Sequence, residues 1–293
     1  MNLIPLKPAS AKDILEKALA LLCFLILPLL FYILTAYLTA AVFLVLLSSM
    51  EEISGAARFL EANLPIIYSC AAALFTGGVL GFLYRRFQKN ELLWVSGRKT
   101  KNPLSGSCQE DMRFPAGRLF PASGYLYAAA FGASGAVFFN LLMALSRLPE
   151  LFSSPGAIEA VTENTNPLLH FLSVCLAIPA AEELVFRGLG YFGIRRYFGP
   201  VFSGVLTAVL FGIFHGNAPQ TLYGFCMGLL LAHTAECFRN LTSVLIFHWA
   251  ANITSFFFLG SPAGQPLLYS LPILGLSGIG CAWLFYRIRN LNA

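Results

Sequence analysis

The chain has 293 residues, of which 57% are hydrophobic and only 11% charged, against roughly 25% charged in an ordinary soluble domain. Together with a mean hydropathy of +0.72, these values exclude a soluble enzyme, a disordered regulator and a collagen-like or disulfide-stapled module. The net charge of +5 comes from basic residues scattered between apolar runs, so it reads as a topology signal and not as a nucleic-acid patch.

A membrane helix needs roughly 20 mostly apolar residues. Eight such stretches occur, near 18–49, 64–84, 122–146, 167–194, 199–217, 219–237, 241–260 and 265–286. The first is long enough to tilt or project beyond the bilayer, and it lacks the small-residue cleavage site of a signal peptide. Segment 85–121, rich in Gly and Pro, is the only sizeable polar connection and reads as a basic loop. The expected fold is an all-α polytopic membrane bundle of about eight transmembrane helices. Alternating sides along these spans puts seventeen of the nineteen Lys and Arg residues on the face that holds both termini. Only Arg58 and Arg147 fall on the other face, which carries Glu51, Glu52, Glu61, Glu150, Glu159 and Glu163. By the positive-inside rule both termini are cytoplasmic. The seven cysteines form no CxxC pair, so neither a zinc ribbon nor a disulfide framework is indicated. Three regions follow: spans one to three with the basic loop (1–166), a polar-residue-bearing core of spans four to seven (167–264), and a last span with its tail (265–293).

Ionisable groups inside a membrane span are costly and usually functional. Span four carries Glu182, Glu183 and Arg187, which unpaired would cost roughly 8–10 kcal/mol on an insertion scale. Glu183 and Arg187 are four apart on one helix face, with the acid nearer the N-terminus, the favourable order for an ion pair. Glu182 points about 100° away and has no partner nearby in sequence. Pro179, one turn earlier, removes a backbone donor and is expected to kink the helix, opening room for water beside Glu182. Span five ends with Phe211 and His215, and span seven contains His248 and Asn252, four apart on one face. Measured from the cytoplasmic ends, Glu182 lies about 20 Å deep, His215 about 24 Å, and His248 and Asn252 about 14 and 20 Å. All four fall within the middle of a roughly 30 Å core, so they can meet if spans four, five and seven pack together. Gly188, Gly190 and Gly193, with Gly224 and Gly228 on span six, would allow that approach.

A buried carboxylate beside an imidazole can take a proton from water. A second imidazole and a carboxamide can act as donors to a tetrahedral oxyanion. This set is suited to hydrolysing an amide. Glu182 is the candidate base and His215 the residue that positions water or shuttles its proton. His248 and Asn252 are the candidate oxyanion donors. Glu183 with Arg187 would hold span four in register and steady His215 or the substrate backbone, and Phe211 and Phe247 would form the cavity wall.

The pattern Glu182-Glu183-xxx-Arg187, Phe211-xxx-His215 and His248-xxx-Asn252 resembles the motif set of the CPBP (CAAX protease and bacteriocin-processing, or Abi) family, in family order, over about residues 167–260. The resemblance implies an intramembrane endopeptidase of glutamate type, with Glu182 and His215 activating water and His248 and Asn252 as oxyanion donors, and without a cofactor. It implies an integral multi-pass protein of the cell membrane or, in a eukaryote, of the endoplasmic reticulum membrane. Its partners would be membrane lipids and a membrane-associated or lipid-modified protein or peptide, with no nucleic acid.

Rival readings stay open on the residues alone. Glu182, His215 and His248 could supply three zinc ligands, with water as the fourth. Gly132-Ala133-Ser134-Gly135 resembles the serine motif of rhomboid proteases, with His248 as a base. Buried Glu and His residues also serve proton paths in transporters, and a silent family member could act as a binding or immunity protein. His233 reads as half of a local pair with Glu236, and Trp94, Trp249 and Trp283 mainly as membrane anchors and packing residues.

Overall fold

The computed structural model describes residues 11–50, 55–89, 120–146, 165–258 and 267–292. Most of the 85–121 loop, with Trp94, lies outside them. The described residues form eight helices and no strand. They are α1 (Ala11–Ser48), α2 (Gly55–Gln88), α3 (Ala122–Ser146), α4 (Pro167–Phe198), α5 (Pro200–Phe214), α6 (Ala218–Phe238), α7 (Leu241–Phe258) and α8 (Leu267–Arg289). The eight apolar stretches of the sequence each correspond to one helix. Helices α1 to α4 and α8 are long and apolar enough to cross a membrane. Helices α5 and α7 are apolar but shorter, and α6, at 21 residues, carries Gln220, His233 and Glu236. The chain is an all-α integral membrane protein.

Local chemistry sets the ends of the core helices. Asn166 caps α4, its Oδ1 accepting from the Leu169 N–H at 3.0 Å, with Pro167 in the first turn. Asn217 caps α6 in the same way through the Gln220 N–H. Helix α6 stops at Arg239, which adopts the left-handed conformation with φ 51°. Asn240 then accepts from the Ser243 N–H at 2.7 Å and opens α7. These connections are short, so α4 to α7 are forced to run as successive neighbours.

Helix α4 is not a uniform α-helix. Two π-helical stretches, Leu172–Ala177 and Leu184–Tyr191, flank a six-residue α segment, Ile178–Glu183. Pro179 sits in that segment, where the sequence predicts a kink, and the distortion takes the form of the wider π winding. π-Helical turns inside α-helices concentrate at functional sites.

The polarity is inverted relative to a soluble protein. Tyr37, Val201 and Leu276 are more than 70% exposed on the outside, as lipid-facing residues are. Polar groups inside the bundle pair across helices at two places: Thr35 with Thr76 at 2.6 Å between α1 and α2, and the Asn63 Oδ1 with the Asn166 N–H at 2.6 Å between α2 and the start of α4.

The most extensive packing is between α3 and α7. It depends on Gly132, where an added Cβ would lie 2.1 Å from the Phe247 carbonyl oxygen. A methyl group there must push α7 away from α3. Gly132→Ala should therefore lower the thermal midpoint of the detergent-solubilised protein, through an overpacking cost of about 1–3 kcal/mol. Gly78→Ala, with nothing within 4 Å of the added carbon, should leave it unchanged. Equal midpoints for both variants would show that α3 and α7 are not in backbone contact.

Candidate active site

The inward faces of α4 to α7 enclose a cavity of about 210 Å³, enough for several waters. Glu182, Phe211, His215, His248 and Asn252 line it, together with Val174, Ile178, Tyr223, Gly224, Met227 and Leu231. The four residues expected to converge from three spans thus do so.

The two adjacent glutamates have different surroundings. Glu183 is fully buried behind the cavity wall. Its Oε1 accepts from the Arg187 Nη1 at 3.0 Å, one turn on, and from the His248 Nδ1–H at 2.6 Å, across on α7. Arg187 is equally buried and donates from Nη2 to the Gly228 carbonyl of α6 at 3.2 Å. Its guanidinium also lies 4.4 Å from the centre of the Phe211 ring, a cation–π contact with α5. The Glu183–Arg187 pair therefore forms as its spacing predicts. The residue it holds is His248, where the sequence left His215 or the substrate backbone as the alternatives: the i, i+4 rule identifies partners within a helix and says nothing of which neighbouring helix a carboxylate faces.

Glu182 faces the cavity instead. Its Oε2 lies 3.9 Å from the His248 Nε2, too far for a hydrogen bond but close enough for both to touch one water. His215 closes α5, at the turn into α6. Its Nδ1–H donates to the Phe211 carbonyl at 2.7 Å. In the neutral ring this leaves Nε2 as an acceptor. The turn is tightly covered by α6, where a Cβ on Gly224 would come within 3.3 Å of the His215 Nδ1. Phe211 is the shared wall, its ring packing edge-on against both His215 and His248. Asn252 donates from Nδ2 to the Val174 carbonyl of α4 at 2.9 Å.

Other expectations need correction. Phe247 is not among the cavity residues; it packs against Phe131 of α3, since it lies one residue from His248 and so turns to another face. Of the two roles expected for Trp249, anchoring and packing, the second holds: its Nε1 donates to the Leu176 carbonyl inside the bundle. His233 does not pair with Glu236: it stacks on Phe285 and meets the Phe285 carbonyl. Glu236 is taken by Tyr191, by both Nε and Nη2 of Arg195, and by Arg239. That cluster, and Tyr223, carried no spacing signal in the sequence. The Tyr223 hydroxyl accepts from Asn140 of α3 at 3.2 Å, which also reaches Ser255 of α7.

Ser134 lies outside the cavity and donates to the Ser277 carbonyl of α8 at 2.8 Å, which leaves the serine-protease reading without a nucleophile at the site. Among the described residues no three His, Cys, Asp or Glu side chains are grouped to hold a metal ion.

Residues 164–254 match the family described as type II CAAX prenyl endopeptidase, Rce1-like. This segment is similar to an Rce1-like domain. It takes in every residue that lines the cavity, and it makes the chain a membrane peptidase. No curated protein and no solved structure gives a match to the chain.

Removing one partner of a buried ion pair leaves a charge uncompensated, at a cost of about 3–5 kcal/mol. Arg187→Met should accordingly lower the thermal midpoint sharply. Arg187→Lys should fall between it and the wild type, because a single ammonium cannot serve both Glu183 and the Gly228 carbonyl. A wild-type midpoint for Arg187→Met would mean that the pair does not hold the helices together.

Proposed function

We propose that the chain hydrolyses a peptide bond of a membrane-associated, prenylated protein, with Glu182 activating the attacking water. The observation that supports this reading is the division of labour between adjacent carboxylates: Arg187 and His248 engage Glu183, and Glu182 faces a cavity with room for several waters beside two imidazoles.

The steps follow from the donors and acceptors. Water in the cavity gives a proton to Glu182, and its oxygen bonds to the scissile carbonyl carbon. The His215 Nε2, left as an acceptor by the Nδ1–H bond to Phe211, receives the second O–H of that water and orients it. The carbonyl oxygen becomes an oxyanion. Asn252 has one amide N–H engaged by Val174 and a second available for the oxyanion. His248 is a donor from Nε2 when it carries both ring protons, the form in which Glu182, Glu183, Arg187 and His248 sum to zero charge. Glu182 then passes its proton to the leaving nitrogen as the C–N bond breaks. A hydroxide-equivalent oxygen is gained and an amine released, with no change of oxidation state.

The match to the CAAX prenyl endopeptidase family supports a substrate carrying an isoprenoid near its C-terminus. A farnesylated peptide ending in the four-residue CAAX sequence is the suitable probe, with protein reconstituted in phosphatidylcholine vesicles. Glu182→Gln should reduce cleavage by about 10²–10⁴-fold, the worth of a positioned base. Chelators should leave the rate intact, and Ser134→Ala should be near wild type. Loss of activity on chelation that zinc restores would replace this mechanism with a metal-assisted one.

A further inference from the structure

The winding of α4 leaves one carbonyl without its helical donor. In the first π-helical stretch the Ile178 N–H bonds to the Ser173 carbonyl, five residues back. The next donor in that register would be residue 179, and its acceptor would be Val174. Residue 179 is proline and has no N–H. The Val174 carbonyl is therefore vacated at membrane depth, where an unsatisfied backbone group is expensive. The Asn252 Nδ2 of α7 occupies it at 2.9 Å. One turn earlier on α7, the Trp249 Nε1 donates to the Leu176 carbonyl of the same stretch at 3.1 Å.

We infer that Pro179 is a positioning residue: by denying Val174 its backbone donor, it reserves that carbonyl for Asn252 and thereby aims the amide's second N–H into the cavity. A carboxamide has two N–H groups and rotates freely about its last bond unless one is fixed. The Val174 bond fixes it. An N–H at position 179 would compete for the same carbonyl and release Asn252. The role of Asn252 in the reaction rests on the endopeptidase reading, whereas the competition for Val174 does not.

A double-mutant cycle separates the two. Thermal midpoints are measured in detergent for wild type, Pro179→Ala, Asn252→Ala and the double variant. In the wild-type background Asn252→Ala leaves the Val174 carbonyl orphaned and should lower the midpoint by about 3–6 °C. In the Pro179→Ala background the restored N–H serves that carbonyl, and the same substitution should lower it by less than about half as much. Equal shifts in the two backgrounds would overturn the inference. With the farnesylated CAAX peptide as probe, Pro179→Ala alone should lower kcat by about 10–100-fold at nearly unchanged KM, without a lower midpoint. A purely structural proline would give the reverse pattern, and a wild-type kcat would also overturn the positioning role. Pro179→Leu restores the same N–H with a larger side chain and replaces Pro179→Ala should that variant not fold. A wild-type protein that fails to cleave the peptide would refute the proposed substrate, while the midpoint cycle would still decide the pairing.

Discussion

The Glu183 carboxylate is the fixed point of this bundle. One oxygen accepts from Arg187 on its own helix and from His248 on α7. Through Arg187 the same group reaches the Gly228 carbonyl of α6 and the Phe211 ring of α5. Four helices are thus tied to one buried charge. In lipid there is no hydrophobic force to bring helices together, because the surrounding chains are as apolar as the helices themselves. Packing and polar contacts must do it, and an ion pair with no water to compete for it specifies helix position more narrowly than leucine contacts can. The same tie orients His248, since a ring held at Nδ1 can present only Nε2 to the cavity.

Hydrolysis within a membrane has a second requirement, a place polar enough for water inside an apolar shell. Glu182, His215, His248 and Asn252 supply part of this. The π-helical stretches of α4 contribute by turning backbone carbonyls away from their usual partners, and each must then be satisfied from elsewhere. Asn252 and Trp249 of α7 do so. The irregular winding of α4 and the polar face of α7 are therefore parts of one structure. In a regular α-helix Pro179 would free the Cys175 carbonyl, four residues back, and the Val174 carbonyl would keep the Ile178 N–H as its donor.

Much of this was legible in the sequence. The eight helices follow from eight apolar stretches because helical length in a bilayer is set by its thickness. The meeting of Glu182, His215, His248 and Asn252 follows from depth, since residues at equal depth on adjacent helices are neighbours. What spacing could not give is rotation. Within α7, His248 faces the cavity while Phe247 turns to α3, and nothing in the order of residues 247 and 248 says which. The same limit concealed the partner of Glu183, the inward role of Trp249, and the cluster in which Glu236 gathers Tyr191, Arg195 and Arg239 from positions as far as 45 residues away. A local His233–Glu236 pair was the natural reading of two residues three apart, but Arg195 offers two aligned donors, and a charged bidentate bond outcompetes an imidazole contact.

That second cluster completes the mechanical picture. Helices α4 and α6 are joined at two heights: by Arg187 on the Gly228 carbonyl, and, eight residues along α4 or about 12 Å, by Arg195 on Glu236. Two separated ties between the same pair of rods prevent both sliding and rotation, where a single tie would permit pivoting. Arg187 also lies on the far side of the cavity wall from Glu182, so the first tie sits close behind the reacting groups. Helix α5, by contrast, meets the site through aromatic faces and through the turn at His215, which α6 covers with a glycine. In the proposed reaction the base and the oxyanion donors would stand on helices braced by charge, and the residue proposed to handle water on the helix end held by packing. Preorganised donors aimed at a developing charge need rigid support, whereas a group that only orients a small, mobile water tolerates a softer one. On the proposed mechanism, the ion pairs of the core lie where that rigid support would be needed.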